Sequence, residues 1–168
     1  MKKICCIVML LVAFSAGAQT GQDYFKDGLK KHKERDYKGA IKEYNKAIKI
    51  IPNYRDALFN RGTIQMELKN YEEANADFTK VIEIDPKYAK GYFSRAYLIF
   101  STGNHEDALP DLDSAVKFDF RLPNALTLRG QIRAEMRNFR GACEDFYKAK
   151  AIGDTKAEEY IEQVCKKH

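Results

Sequence analysis

Residues 71–86 read YEEANADFTKVIEIDP, and the spacing of their small and apolar members decides the fold. Ala74, Phe78, Val81 and Ile82 recur at i, i+4, i+7 and i+8, the one-sided pattern of a helix with 3.6 residues per turn. Pro86 closes the run, because a ring without an N–H cannot carry a helix onward. Upstream, Leu58, Gly62 and Gln65 share a second helical face, with Ile64 and Leu68 beside it. Asn70 stands in the break between the two, where its side-chain oxygen can satisfy an orphan backbone N–H. The stretch reads as helix, turn, helix.

Shifting the chain by 34 residues finds the same pattern again. Gly28, Gly62, Ala96 and Gly130 align, as do Ala40, Ala74, Ala108 and Ala142. The same offset aligns Tyr44, Phe78, Leu112 and Phe146, then Ala47, Val81, Ala115 and Ala149, then Ile50, Ile84, Phe118 and Ile152. Such self-similarity marks a repeat array in which each unit buries its apolar face against its neighbours. The break is a column too, Asp36, Asn70, Asn104 and Asn138, with Glu73 and Asp107 placed to complete near-capping boxes. Pro52 and Pro86 end second helices; the third unit has Phe120 in that place and delays its proline to Pro123, and the fourth uses Gly153 as a helix stop. The small columns have a steric cause, since helices crossing at roughly 8–10 Å leave no room for a side chain larger than Ala.

These features together resemble the tetratricopeptide repeat family: the period, the Gly/Ala column, the Ala-x3-Tyr/Phe steps from Ala40 to Tyr44, Ala74 to Phe78 and Ala142 to Phe146, and the closing Pro52 and Pro86. The resemblance runs from Gly21 to about Lys156 and divides the chain into repeats at 21–54, 55–88, 89–122 and 123–156. It implies an all-α, right-handed solenoid of four helix-turn-helix units whose first helices line a concave groove, and a scaffold for protein–protein interaction. Two departures stand out. Tyr24, Leu58, Tyr92 and Leu126 replace the family's early Trp, and Leu112 breaks the aromatic column of the third repeat. The ends differ from the middle. Lys30, Lys31, Lys33 and Glu34 make the outer side of the first helix polar, as suits an N-terminal cap. Residues 157–168, with Tyr160, Ile161 and Val164 on one stripe, read as a C-terminal capping helix.

Residues 1–18 have the three-part build of a secretory signal: Lys2 and Lys3, an apolar run from Ile4 to Phe14, and Ala16-Gly17-Ala18 around the cleavage point after Ala18. The run is too short to span a bilayer, which takes about 20 apolar residues. Export to a bacterial periplasm or the exterior is therefore expected, with no membrane span left after cleavage. Removing Lys2 and Lys3 with this segment lowers the net charge from +5 to about +3, too weak a field to argue for nucleic acid, and no basic–aromatic stripe suggests one.

Catalytic chemistry finds no foothold. His32, His105 and His168 share no metal-ligand spacing, and no glycine-rich phosphate loop, Gly-x-Ser-x-Gly or Cys-x-x-Cys occurs, so neither enzyme activity nor a metal or cofactor is expected. Cys143 and Cys165 remain after cleavage, and two readings stay open: a disulfide stapling the last helix to the fourth repeat, or two small buried hydrophobes. Arg61, Arg95 and Arg129 recur beside Asp77, Asp111 and Asp145 and read as structural ion pairs between first and second helices; the first unit breaks both columns with Asp27 and Glu43.

The candidate binding face comes from one further column. Phe25, Phe59 and Phe93 lie at the repeat period, and Leu29, Thr63, Met66, Tyr97 and Phe100 keep that face apolar through the third unit, with Asn60 and Lys90 alongside. In the same helix Tyr92, Ala96 and Ile99 form a separate packing stripe, which leaves the Phe93 stripe without an obvious internal partner; packing of the phenylalanines helix to helix is the other reading. The expected function is an exported adaptor that takes a protein or peptide segment in the groove. A structural subunit joined through its outer faces or ends is the alternative, and homo-oligomerisation stays open. Asn60 and Lys90 alone match a carboxylate clamp, whose other places hold Phe25, Leu29 and Ser94, so capture of a peptide C-terminus is not expected.

Overall fold

The computed structural model describes residues 20–122 and 124–167; the signal segment, Pro123 and His168 lie outside them. Among the described residues every regular element is helical, and the helices come in consecutive helix-turn-helix pairs. Helix α1 (20–33) pairs with α2 (Tyr37–Ile50), and α3 (Arg55–Glu67) with α4 (Tyr71–Ile84). Then α5 (Ala89–Ser101) pairs with α6 (Leu109–Phe118), and α7 (Ala125–Glu135) with α8 (Phe139–Ala151), followed by the short α9 (Ala157–Tyr160). The chain divides into two compact units, one ending at Ile84 and the other beginning at Asp85.

The turn inside each pair has one geometry, set by a left-handed residue. Arg35, Lys69, Gly103 and Arg137 all have positive φ, of 60°, 62°, 91° and 61°. After α3 the Lys69 N–H donates to Met66 O and the Asn70 N–H to Gln65 O; after α7 the Arg137 N–H donates to Ala134 O and the Asn138 N–H to Arg133 O. This is the double bond of a Schellman ending, which satisfies carbonyls the helix leaves orphaned. The column lies one residue before the Asp/Asn column, and only one of its four members is glycine. Gly153 closes α8 the same way, at φ 92°, its N–H on Lys150 O.

The expected N-caps form at two places and fail at a third. Asp36 Oδ1 accepts from Gly39 N at 2.9 Å, and Asn138 Oδ1 from Gly141 N at 3.0 Å. Asn104 does not cap α6. Its neighbourhood begins as a 3-10 turn, Glu106–Ala108, with no side-chain cap, so Asp107 completes no capping box. Pro110 gives the reason: it has no N–H to offer the Glu106 carbonyl, which takes the Leu109 N–H instead.

In the first unit Ala40, Tyr44, Ala47, Ala57 and Ile64 form a buried core, with Tyr24, Phe25 and Tyr54 packed against it. In the second, Ala96, Ala108, Leu112, Leu128 and Ile132 form one cluster, and Ala142, Phe146 and Ile161 another. The Gly/Ala column is explained by the ring facing it. A Cβ on Gly28 would lie 2.5 Å from Tyr44 Cε1, one on Gly62 3.0 Å from Phe78 Cε1, and one on Gly130 2.5 Å from Phe146 Cε1. Where the third repeat has Ala96, the residue in the ring's place is the non-aromatic Leu112, in the same cluster. Alanine in place of glycine at Ala96 and leucine in place of a ring at Leu112 are thus one compensated change in volume.

The C-terminal segment is helical, with a widened turn. After α9, Ile161–Cys165 forms a π-helix, and the Lys166 N–H donates to Ile161 O. Ile161 is buried, and Tyr160 and Val164 pack on the Phe146 cluster, as the stripe predicted. Cys143 and Cys165 form a disulfide, S–S 2.06 Å, which decides between the two readings of that pair.

Candidate functional site

The arginine–aspartate columns become bidentate ion pairs. Arg61 Nε and Nη2 donate to Asp77 at 2.8 and 2.5 Å, Arg95 to Asp111 at 2.7 and 2.8 Å, and Arg129 to Asp145 at 2.9 and 2.6 Å. All three aspartates are buried. Hydrogen bonding to Asp111 raises the Arg95 pKa above its ordinary value against the cost of desolvation. Arg61 and Arg129 also reach backward. Arg61 Nη1 donates to Asn45 Oδ1 at 2.6 Å, and Arg129 Nη1 to Asp113 Oδ1 at 2.7 Å. Each of these guanidiniums therefore ties a first helix to the second helix before it as well as the one after. Arg133, which sequence reasoning missed, donates to the same Asp145 at 2.8 Å. In the first repeat buried Glu43 stands in for the aspartate and takes Lys46 at 2.8 Å and Lys31 at 3.6 Å. The hydrogen bond from Lys46 lowers the Glu43 pKa despite its burial.

The candidate binding face falls on both units. Phe25, Leu29, Phe59, Asn60, Thr63 and Met66 lie in the first, and Lys90, Phe93, Tyr97 and Phe100 in the second. The expectation that the phenylalanine stripe lacks internal partners is overturned. Phe25 packs on the first core, its ring centroid 5.8 Å from Tyr44 and 4.9 Å from Tyr54. Phe59 lies 6.0 Å from Phe78. Phe93 packs against two buried clusters of the second unit. The physical reason is that a wide aromatic ring spans both stripes of its helix, and Tyr54, in the turn before α3, supplies a partner that helical spacing does not reveal.

What remains outward-facing is a shorter set. Tyr97 is 45% exposed, its ring 6.3 Å from Phe93, and Lys90 is exposed. Leu29 and Met66 are half-buried. Thr63 turns its hydroxyl back to Phe59 O at 2.9 Å, and the Asn60 amide donates to Asp56 O at 2.7 Å. Phe100 stacks on His105 at 4.2 Å, and His105 Nδ1 lies 2.6 Å from Glu135 Oε2. Among the described residues no group of three or more His, Cys, Asp or Glu could hold a metal ion, and no helix is long and apolar enough to cross a membrane.

Helix pairs repeated end to end, locked by buried ion pairs and carrying side chains left over on the first helices, define a helical-repeat scaffold. Comparison with known proteins specifies the repeat. The family "Tetratricopeptide repeat" matches residues 56–88, and the related "TPR repeat" matches residues 28–69. Residues 28–88 thus match the tetratricopeptide repeat, and the fold of the chain is that of tetratricopeptide-repeat proteins. No curated protein sequence matches it. Among solved structures it is similar to the crystal structure of MamA protein, at 21% identity over 88% of this chain and 87% of that one, TM-score 0.74. It is similar to YrrB, described as a TPR protein with an unusual peptide-binding site, at 17% identity over 84% and 75%, TM-score 0.70. The first TPR of Spaghetti (RPAP3), solved with the HSP90 peptide SRMEEVD, is 22% identical over 71% of this chain and 98% of that chain, TM-score 0.67. At these identities the likeness carries the fold.

Proposed function

We propose that the chain is an exported scaffold that holds a segment of a partner protein against the outward-facing side of its first helices. The observation that carries this reading is Tyr97. It is an aromatic side chain 45% exposed on a helix whose other faces are fixed by the Arg95–Asp111 pair and by buried Ala96. An exposed aromatic on a rigid element anchors a partner at low entropic cost. Lys90, one turn before Phe93 on the same helix, adds a charge at the edge. Peptides seen on RPAP3 and described for YrrB support the same use of this fold. Export rests on the basic, apolar and small-residue tripartite pattern of residues 1–18.

The test is capture of partners on immobilised protein, identified by mass spectrometry, with Tyr97→Ser and Lys90→Glu in parallel. Loss of the same captured protein by about tenfold in both variants, with unchanged melting, is the expected result. Capture undiminished by either change overturns the first-helix reading. Phe59→Ala is unsuitable for this purpose, because Phe59 packs on Phe78 and its removal attacks the core. Sequencing of the secreted product should begin at Gln19; an intact Met1 would refute export by cleavage.

A further inference from the structure

Phe120 stands where the first two repeats have Pro52 and Pro86, so the repeat itself does not call for an aromatic there. It is 57% exposed. It sits at the mouth of a pocket of about 410 Å³ formed with Val116, Leu126, Ala151 and Ile152, with Lys148 at its edge. Arg129 also reaches the wall, but Asp145 and Asp113 already take its charge. Through Ile152 the pocket adjoins a second, of about 230 Å³, lined by Arg121, Asn124, Gly153, Asp154 and Thr155. The character changes across that junction, from apolar to polar.

Among the described residues the two pockets hold two cations without ion-pair partners against one carboxylate, Asp154, on the polar side. The Arg121 guanidinium lies 5.4 Å from the Phe120 ring and, among the described residues, meets no carboxylate; Lys148 is exposed and likewise unpaired. Asp119, next to Phe120, uses Oδ1 on the Arg121 backbone N–H at 3.0 Å. Asp154, which lines the polar pocket, accepts from the Thr127 hydroxyl at 2.6 Å and from Lys156 N at 3.0 Å. An apolar hollow is thus bordered by two cations that the fold leaves without partners.

We propose that this surface, formed by Phe120 and Arg121 after α6 and by the end of α8, docks an acidic protein segment: one Leu- or Phe-sized side chain enters the apolar pocket beside Phe120, and an adjacent Asp or Glu side chain meets Arg121 and Lys148. The apolar anchor supplies buried area, and the carboxylate supplies the charge-assisted hydrogen bonds that the two cations lack. This site uses the ends of α6 and α8, Phe120 and Arg121 between helices, and Leu126 at the start of α7. It is independent of the first-helix face around Tyr97.

Selection of a random peptide library, fused through its C termini so that no free α-carboxylate is offered, on the purified protein tests the proposal. The enriched peptides should pair a large apolar residue with Asp or Glu. They should lose affinity by about tenfold on Phe120→Ser, on Lys148→Glu and on Ala151→Arg, which plugs the pocket without removing packing. Tyr97→Ser should leave them unaffected, so this site and the first-helix face fail or stand separately. Enriched peptides without acidic residues, or peptides indifferent to all three changes, overturn the proposal. So does Phe120-dependent binding to vesicles of phosphatidylglycerol and phosphatidylcholine, or Phe120-dependent self-association, with no selected peptide.

Discussion

Tyr44 is the residue where burial and chemistry conflict. Its side chain is wholly buried, its hydroxyl has no hydrogen-bond partner among the described residues, and burial pushes its pKa up to about 12. Below pH 10 the phenol is neutral in both folded and unfolded chains. Between pH 10 and 12 the unfolded chain ionises while the folded one resists, so stability is lost as pH rises, by on the order of 2–3 kcal/mol. Tyr44→Phe keeps the ring and removes the orphaned hydroxyl. It should raise stability by about 1 kcal/mol at pH 8 and flatten the alkaline loss, as urea midpoints at pH 8 and 11 will show. A second prediction concerns the glycine–ring pairs. Gly130→Ala drives a Cβ into the Phe146 ring and should cost about 1–3 kcal/mol. Combined with Phe146→Leu, which reproduces the Ala96 and Leu112 of the third repeat, the cost should fall well below the sum of the two single changes. Strict additivity in denaturant titrations would refute the pairing.

Between elements, the ion pairs decide how helices are held together. Asp145 takes two arginines, whereas Asp111 takes one of the three column arginines, Arg95. Asp145→Asn leaves Arg129 and Arg133 facing a neutral group in a buried place and should cost about 3–5 kcal/mol. Arg129→Ala should cost less, because Arg133 remains on the carboxylate. A double-mutant cycle of Asp111→Asn with Arg95→Ala should show about 1–3 kcal/mol of coupling; zero coupling would mean these pairs are ornaments of the geometry. These pairs, the Gly/Ala column and the helix stops at Pro52, Pro86 and Gly153 were legible in the sequence, because each recurs or carries a backbone constraint of its own. The phenylalanine stripe was misread. A helical wheel states where Phe93 points but not that the clusters around Ala96 and Ala115 both meet its ring. The left-handed column at Arg35, Lys69 and Arg137 escaped notice for another reason: without glycine, a positive φ leaves no mark in composition. Pro110 and its 3-10 turn were legible in principle, since the missing N–H falls past the first turn of a helix capped at Asn104, where the Glu106 carbonyl would need it.

At the scale of the whole molecule, stability is distributed over nearest neighbours, as expected for repeats that bury their faces only against adjacent ones. The Cys143–Cys165 bond spans 22 residues and ties the last turn to α8. Reduction should lower the stability of the second unit by about 3 kcal/mol. A thermal melt with and without dithiothreitol checks this, and Cys165→Ser should abolish the difference. Arg61 and Arg129 add something that a stability ledger does not register. Each guanidinium is shared by three helices, so opening any one of the three disturbs the bonds holding the other two. In the language of linear chains of interacting sites, such a residue sets the correlation length: within its own unit it governs how far a local opening spreads before the helices around it must open too.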